Sequence, residues 1–247
     1  MKPSILKLEK GQEIAFHRQD GVGPGVVFLG GFKSDMEGKK ALYLAEWAKA
    51  NGRAFLRFDY TGHGQSSGAF VDGCVGDWAN DAMAAITKLT DGPQILVGSS
   101  MGGWISLLVC RAMPEKVSGL VGIAAAPDFT EDSIWANFDA NQRQAIIETG
   151  QIDLPSDYSD EPYIITRKLI EDGRNQLVLR TPLSLPFPVR FLQGTDDADV
   201  EQSVALKLLG HASGDNIRLT LLKGANHSFS SPECLAMIEA AINEVCD

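Results

Sequence analysis

The sequence predicts an α/β fold, a mostly parallel sheet with helices on both faces, and three observations predict it. Short apolar runs alternate with stretches of helical spacing along most of the chain. Strands separated by helices imply βαβ units, hence a parallel sheet covered on both sides. The 247 residues, 44% hydrophobic and 22% charged, suit one large soluble domain spanning residues 1–247.

The elements follow in order. Residues 4–19 alternate around a turn at Glu9-Lys10-Gly11-Gln12 and predict a hairpin of two short strands. Gly25 to Leu29 is an apolar strand ending in Gly30-Gly31, and residues 37–51 place Ala41, Leu42, Leu44, Ala45 and Ala48 at helical spacing. Arg53 to Phe58 is the next strand, closed by the Asp59-to-Gly64 loop, and residues 77–90 form an amphipathic helix. Gln94 to Val97 is a buried strand, and Gly98-Ser99-Ser100-Met101-Gly102 leads into a helix reaching about Arg111. Leu120 to Ala125, Val189 to Leu192 and Ile217 to Leu222 complete the strands, and residues 232–246 form a closing helix. Residues 128–186 break the rhythm with helix-like pieces, two acidic runs and prolines, but no clear strand. So long a connector in a compact domain reads as a functional insertion, a small helical cap over the sheet edge.

Right-handed crossovers place every loop that follows a parallel strand along one edge, where open α/β sheets bind ligands. That rule gathers Gly31-Phe32, Ser100, Asp197 and His227 on one rim.

Gly98-Ser99-Ser100-Met101-Gly102 fits G-x-S-x-G, with a strand before it and a helix behind it. The glycines leave room for a sharp turn that exposes the serine hydroxyl at a helix N-terminus, where positive charge favours a developing oxyanion. Ser100 is the expected nucleophile; Ser99 is the rival, but the glycines centre on Ser100. A serine hydroxyl needs a base within reach. Of four histidines, His17 lies in the N-terminal hairpin and His211 ends a helical stretch. His63 sits in the loop at the active rim, where it lines the pocket or stabilises the loop. His227 follows the last strand, the place of the base in the order Ser, Asp, His. The loop after Leu192 holds Asp196, Asp197 and Asp199. Its G-x-x-D-x-x-V pattern selects Asp197, with Asp196 as the alternative. The expected oxyanion donors are the N–H groups of Met101, after the nucleophile, and Phe32, in the loop after the first parallel strand. Phe32 also reads as a pocket-wall aromatic. In the cap, Ile134, Trp135 and Phe138 face an acyl chain or pack the cap onto the core.

These residues and their order resemble the α/β-hydrolase superfamily over nearly the whole chain. Several runs are also similar to the mitochondrial palmitoyl-protein thioesterases that cleave acyl glucuronides: Asp91 to Trp104, Arg57 to Gly68, Pro114 to Val117, Pro155 to Ser159 and Gly194 to Val200. The resemblance covers roughly residues 25–245 and places the triad at Ser100, Asp197 and His227. It implies a serine hydrolase acting on an acyl thioester or ester with a sizeable acyl group, on a small molecule or an acyl-protein. Two departures stand out. Gln193 takes the place where the superfamily often has histidine, and Glu201 the place where it often has proline; neither is expected to touch the triad.

The remaining features exclude more than they suggest. A net charge of -10 argues against nucleic-acid and anionic-membrane partners. No apolar segment approaches the ~18 residues that cross a bilayer. The N-terminus lacks a secretory signal and a transit peptide, so a cytoplasmic protein is expected. Cys74, Cys110, Cys234 and Cys246 have no metal-ligand spacing and read as reduced thiols, with one disulfide as the alternative. The expected mechanism needs no metal and no cofactor. The alternatives are a peptidase or carbon–carbon bond hydrolase using the same triad, or a non-catalytic binding protein on this fold. Dehalogenase and epoxide-hydrolase chemistry would need an acid at position 100.

Overall fold

The computed structural model describes residues 2–9, 11–155 and 162–246. In chain order its elements are β1 (Ser4–Lys7), β2 (Glu13–Gln19), β3 (Val22–Leu29), α1 (Lys39–Ala50), β4 (Arg53–Phe58), α2 (Val75–Leu89), β5 (Gln94–Ser99), α3 (Met101–Ala112) and β6 (Val117–Ile123). There follow α4 (Ala140–Thr149), β7 (Gln151–Leu154), β8 (Tyr163–Thr166), α5 (Arg167–Asn175), β9 (Leu183–Ser184), β10 (Val189–Gly194), α6 (Gln202–His211), β11 (Ala212–Ser213), β12 (Ile217–Leu222) and α7 (Pro232–Cys246).

Eight strands form one sheet in the order β1-β2-β4-β3-β5-β6-β10-β12. β1 and β2 run antiparallel at one edge, and the six strands from β4 to β12 are parallel. This is the α/β-hydrolase architecture. The central strand β5 is buried at every residue, which explains its unbroken Ile95-Leu96-Val97 run. The edge strand β12 has no fully buried residue. Helix α2 turns Val75, Trp78, Ala79, Ala82, Ala85, Ile86 and Leu89 inward, the stripe of a surface helix. Helix α3 is buried from Met101 through Cys110, because it lies between the sheet and further layers. Two apolar clusters result: α2, α3 and α6 pack one face of the sheet, and α1 and α7 the other.

Register sets the functional rim. Leu29 pairs with Gly98, Ser99 with Ile123, Leu192 with Ile123, and Gly194 with Leu222. The carboxyl ends of β3, β5, β6, β10 and β12 are therefore level, and the loops after them meet.

The segment between β6 and β10 is not strandless, as its sequence suggests. β7 and β8 form an antiparallel hairpin, with Gln151 opposite Thr166 and Leu154 opposite Tyr163, and β9 pairs with β11. The strand residues Tyr163-Ile164-Ile165-Thr166 run straight into α5, whose first turn is capped by the Thr166 hydroxyl accepting from Leu169 N–H at 3.1 Å. With no Gly or Pro between strand and helix, the boundary is invisible in composition. Residues 156–159 of the Pro155-to-Ser159 run lie outside the described residues. No described helix is long and apolar enough to cross a membrane. The four cysteines form no disulfide with one another.

Candidate active site

Ser100 sits between β5 and α3 with φ +56° and ψ −118°, a conformation that costs a non-glycine residue about 1–3 kcal/mol. Backbone hydrogen bonds hold it there. Its N–H donates to the Ile123 carbonyl at 2.9 Å, and its carbonyl accepts from Gly103 N–H at 2.9 Å and Ala126 N–H at 3.1 Å. The flanking glycines are required by space. A Cβ on Gly98 would strike the Gly102 carbonyl and the Ser106 hydroxyl, and a Cβ on Gly102 would strike the carbonyls of Leu29 and Gly30. This is the strand-turn-helix context that G-x-S-x-G requires. Ser99 is buried in β5.

His227 lies in the loop after β12. Its Nε2 is 3.1 Å from Ser100 Oγ, and its Nδ1 is 3.0 Å from both Asp197 carboxylate oxygens. With Asp197 ionised, Nδ1 carries the proton and Nε2 is the acceptor facing the serine. The Asp197 side chain is 0% exposed and that of His227 16%. Burial alone would raise the Asp197 carboxyl. Hydrogen bonds from His227, Val200 N–H and the Gln193 amide outweigh it and hold the group below the ordinary aspartate value. Asp196, the alternative acid, is exposed and accepts from the Thr195 hydroxyl instead.

Gln193 corrects an expectation. Far from standing clear of Ser100, Asp197 and His227, its Nε2 donates to Asp197 Oδ2 at 2.9 Å and to the Val200 carbonyl at 2.9 Å. The reason is register. Position 193 in β10 is buried beside the turn that presents Asp197. The signal was its place four residues before the acid, at a position where the superfamily often has another donor.

A cavity of about 520 Å³ opens over Ser100 and His227, within the usual range for small-molecule sites. Phe32 and Met101 line it, and the loop carrying Phe32 runs against the serine: a Cβ built on Gly31 would lie 3.5 Å from Ser100 Cβ. The Phe32 ring packs edge-on against Phe70, Trp78 and Phe129. Apolar wall is supplied by Phe129, Ile134, Leu154, Tyr163 and Ile165 from the segment after β6. The His227 end is polar, with Lys39, Lys40, Ser228 and Ser230.

Two residues expected to bind substrate do not reach this cavity. His63 is buried beneath the loop after β4, its ring edge-on to Tyr60, Phe70 and Trp78 and its Nδ1 3.3 Å from the Thr61 carbonyl. Burial pushes its imidazole down to about 4, so it is a neutral core residue. Trp135 faces away, stacked under the guanidinium groups of Arg174 and Arg143 and packed on Phe138. Its alternative role, packing, is the one the geometry gives it; Ile134 does line the cavity and Phe138 is buried in the core.

Comparison with known proteins adds context. Residues 25–167 match the family described as serine aminopeptidase, S33. The chain is 34% identical over 245 residues to the mitochondrial palmitoyl-protein thioesterase ABHD10 of Rattus norvegicus, covering 99% of this chain and 82% of the relative. Among solved structures it is similar to a putative hydrolase from Agrobacterium vitis S4, with 37% identity, TM-score 0.94 and coverage of 100% and 98% of the two chains. Mouse alpha/beta hydrolase domain-containing protein 10 gives 32% identity, TM-score 0.91 and coverage of 99% and 98%. The cytoplasmic location expected from the sequence is overturned by the curated thioesterase relatives, which are named as mitochondrial.

Proposed function

This chain belongs to the serine aminopeptidase S33 family of α/β-hydrolases and is kin to the palmitoyl-protein thioesterases, and from that premise we propose that Ser100, His227 and Asp197 are the catalytic triad with which it cleaves ester or thioester bonds. The protein is a hydrolase. The observation that carries the triad is the unbroken chain from Ser100 Oγ through the imidazole to Asp197, at 3.1 and 3.0 Å.

His227 Nε2 is within the ~2.6–3.2 Å reach a general base needs. It takes the Ser100 proton as Oγ attacks the acyl carbonyl, while Asp197 fixes the tautomer and stabilises the imidazolium without taking the proton. The tetrahedral oxyanion falls to the N–H groups of Phe32 and Met101, and loss of one such donor is worth roughly 3 kcal/mol of barrier. His227 then protonates the departing thiol or alcohol. A water activated by the same imidazole attacks the acyl-enzyme and releases the acid, returning Ser100.

The whole chain is read as one domain, 1–247, with residues 128–186 as its cap. Supporting this, Phe129, Ile134, Leu154, Tyr163 and Ile165 come from that segment and furnish an apolar wall over the serine. An acyl chain, on a small molecule or a protein, fits that wall.

The test is hydrolysis of p-nitrophenyl esters of increasing acyl length, beside matching acyl thioesters and aminoacyl anilides. The expected result is turnover of esters and thioesters with an optimum at medium or long chains, lost in Ser100→Ala. Turnover confined to the anilides would instead support a peptidase, the activity in the family's description.

A further inference from the structure

The loop that carries His227 is held on two sides. On one side it is tied to the Asp197 loop: Gly224 N–H donates to the Thr195 hydroxyl at 2.8 Å, and Asp196 N–H donates to the Ala225 carbonyl at 3.0 Å. Within itself it is strained, with the buried Phe229 at φ +44°. On the other side, a side chain holds it. Lys40 Nζ donates to the carbonyl of Ser228, the residue next to His227.

Lys40 is costly where it stands. It is the second residue of α1, whose first turn has no acidic residue, so its charge opposes the helix dipole. Burial adds to the cost and pushes its ammonium down to about 8, although Cys234 and the Asp197 carboxylate draw it back up. A cation held against both penalties, lining the cavity beside Ser228 and Ser230, is poorly explained by stability. Its base is rigid. The loop between β3 and α1 is anchored where Met36 N–H donates to the buried Asp59 carboxylate at 2.7 Å. That same loop carries Phe32.

We infer that Lys40 is a positioning residue for His227, fixing the imidazole loop to the rigid unit formed by the Phe32 loop and α1. The inference rests on the triad reading above. It requires that the ammonium, through the Ser228 carbonyl, keep Nε2 in line with Ser100 Oγ without touching substrate.

The experiment follows Ser100 labelling by a fluorophosphonate probe, with the labelled peptide found by mass spectrometry, together with ester kinetics and thermal melts. Wild type should label at Ser100. Lys40→Met should label about 10- to 100-fold more slowly, the scale of a small misplacement of a catalytic group. Its kcat should fall by the same factor with KM within about twofold, and its melting temperature should equal or exceed that of wild type, since a half-buried charge at a helix N-terminus is removed. Ethylammonium should restore part of the labelling rate to Lys40→Ala and leave wild type unchanged. Wild-type labelling speed in folded Lys40→Met overturns the inference, as does a rise confined to KM, which would mean contact with substrate. Should Lys40→Met fail to fold, Lys40→Gln is measured in its place, and wild-type speed in it is equally fatal. Wild-type protein that labels elsewhere than Ser100 sinks the triad reading instead, so the two failures are separable.

Discussion

At the scale of single residues, the site depends on groups that hold other groups. Asp197 is the clearest case, a fully buried carboxylate accepting from His227, Val200 N–H, Asp199 N–H and Gln193. Asp197→Asn is expected to leave the fold intact and to lower kcat by about 10^4, because the amide favours the wrong imidazole tautomer. The pH dependence follows from the direction of its shift. Its folded value lies below its unfolded one, so its contribution to stability is complete above the ordinary aspartate range, ~3.9, and fades as pH falls through the lower folded value. Acid unfolding of Asp197→Asn, followed by circular dichroism, should be correspondingly shallower below pH ~4. Gln193→Leu removes a buried donor to an anion and is expected to cost roughly 1.5–3 kcal/mol in denaturant unfolding, with a loss of kcat. Gln193→His, which restores a ring N–H donor, should recover most of both. The juxtaposition of Ser100, His227 and Asp197 was legible in the sequence because each is fixed by its place after a strand. Gln193 and Lys40 were not, since their roles depend on which backbone turns pass beside them.

At the scale of elements, the serine turn and the segment after β6 show how local constraints become a site. Gly102→Ala drives a methyl into backbone carbonyls that cannot yield, so a loss of about 1–3 kcal/mol is expected from chemical melts, with activity falling further than stability. The segment after β6 is clasped at its two ends. Asp128, fully buried at φ +59°, accepts from Val178 N–H at 2.8 Å, Leu179 N–H at 3.1 Å and Arg180 Nη1 at 2.6 Å. Asp128→Asn keeps a residue that tolerates positive φ but weakens the charge-assisted hydrogen bonds from Val178, Leu179 and Arg180, which stays paired with Asp132, an expected loss of roughly 1.5–3 kcal/mol. Its kinetic signature should be a raised KM for long acyl chains with short esters little affected. The element pattern was readable wherever a strand ended in Gly or Asp, as at Gly30 and Asp59. It failed at β7 and β8, where four-residue strands abut a helix and carry no period long enough to identify.

At the scale of the whole molecule, the level carboxyl ends of β3, β5, β10 and β12 are what bring residues 32, 100, 197 and 227 together. The one-domain reading predicts a single cooperative transition in calorimetry, with calorimetric and van't Hoff enthalpies equal; two resolved transitions would separate the cap from the sheet. Topology was inferable because right-handed crossovers leave few choices. Cavity shape was not, because it is set by how the segment after β6 folds back, and that turned Trp135 away from the cavity while bringing in Tyr163 and Ile165; His63 is instead buried under its own loop against Phe70 and Trp78. Hydrolysis as proposed requires that an acyl group pass through Ser100. Rapid-quench mass spectrometry of the protein mixed with a medium-chain acyl thioester tests it most directly. A transient acyl adduct is expected on the peptide containing Ser100 and absent in Ser100→Ala. Turnover with no adduct at Ser100, or with an adduct on another residue, would contradict it.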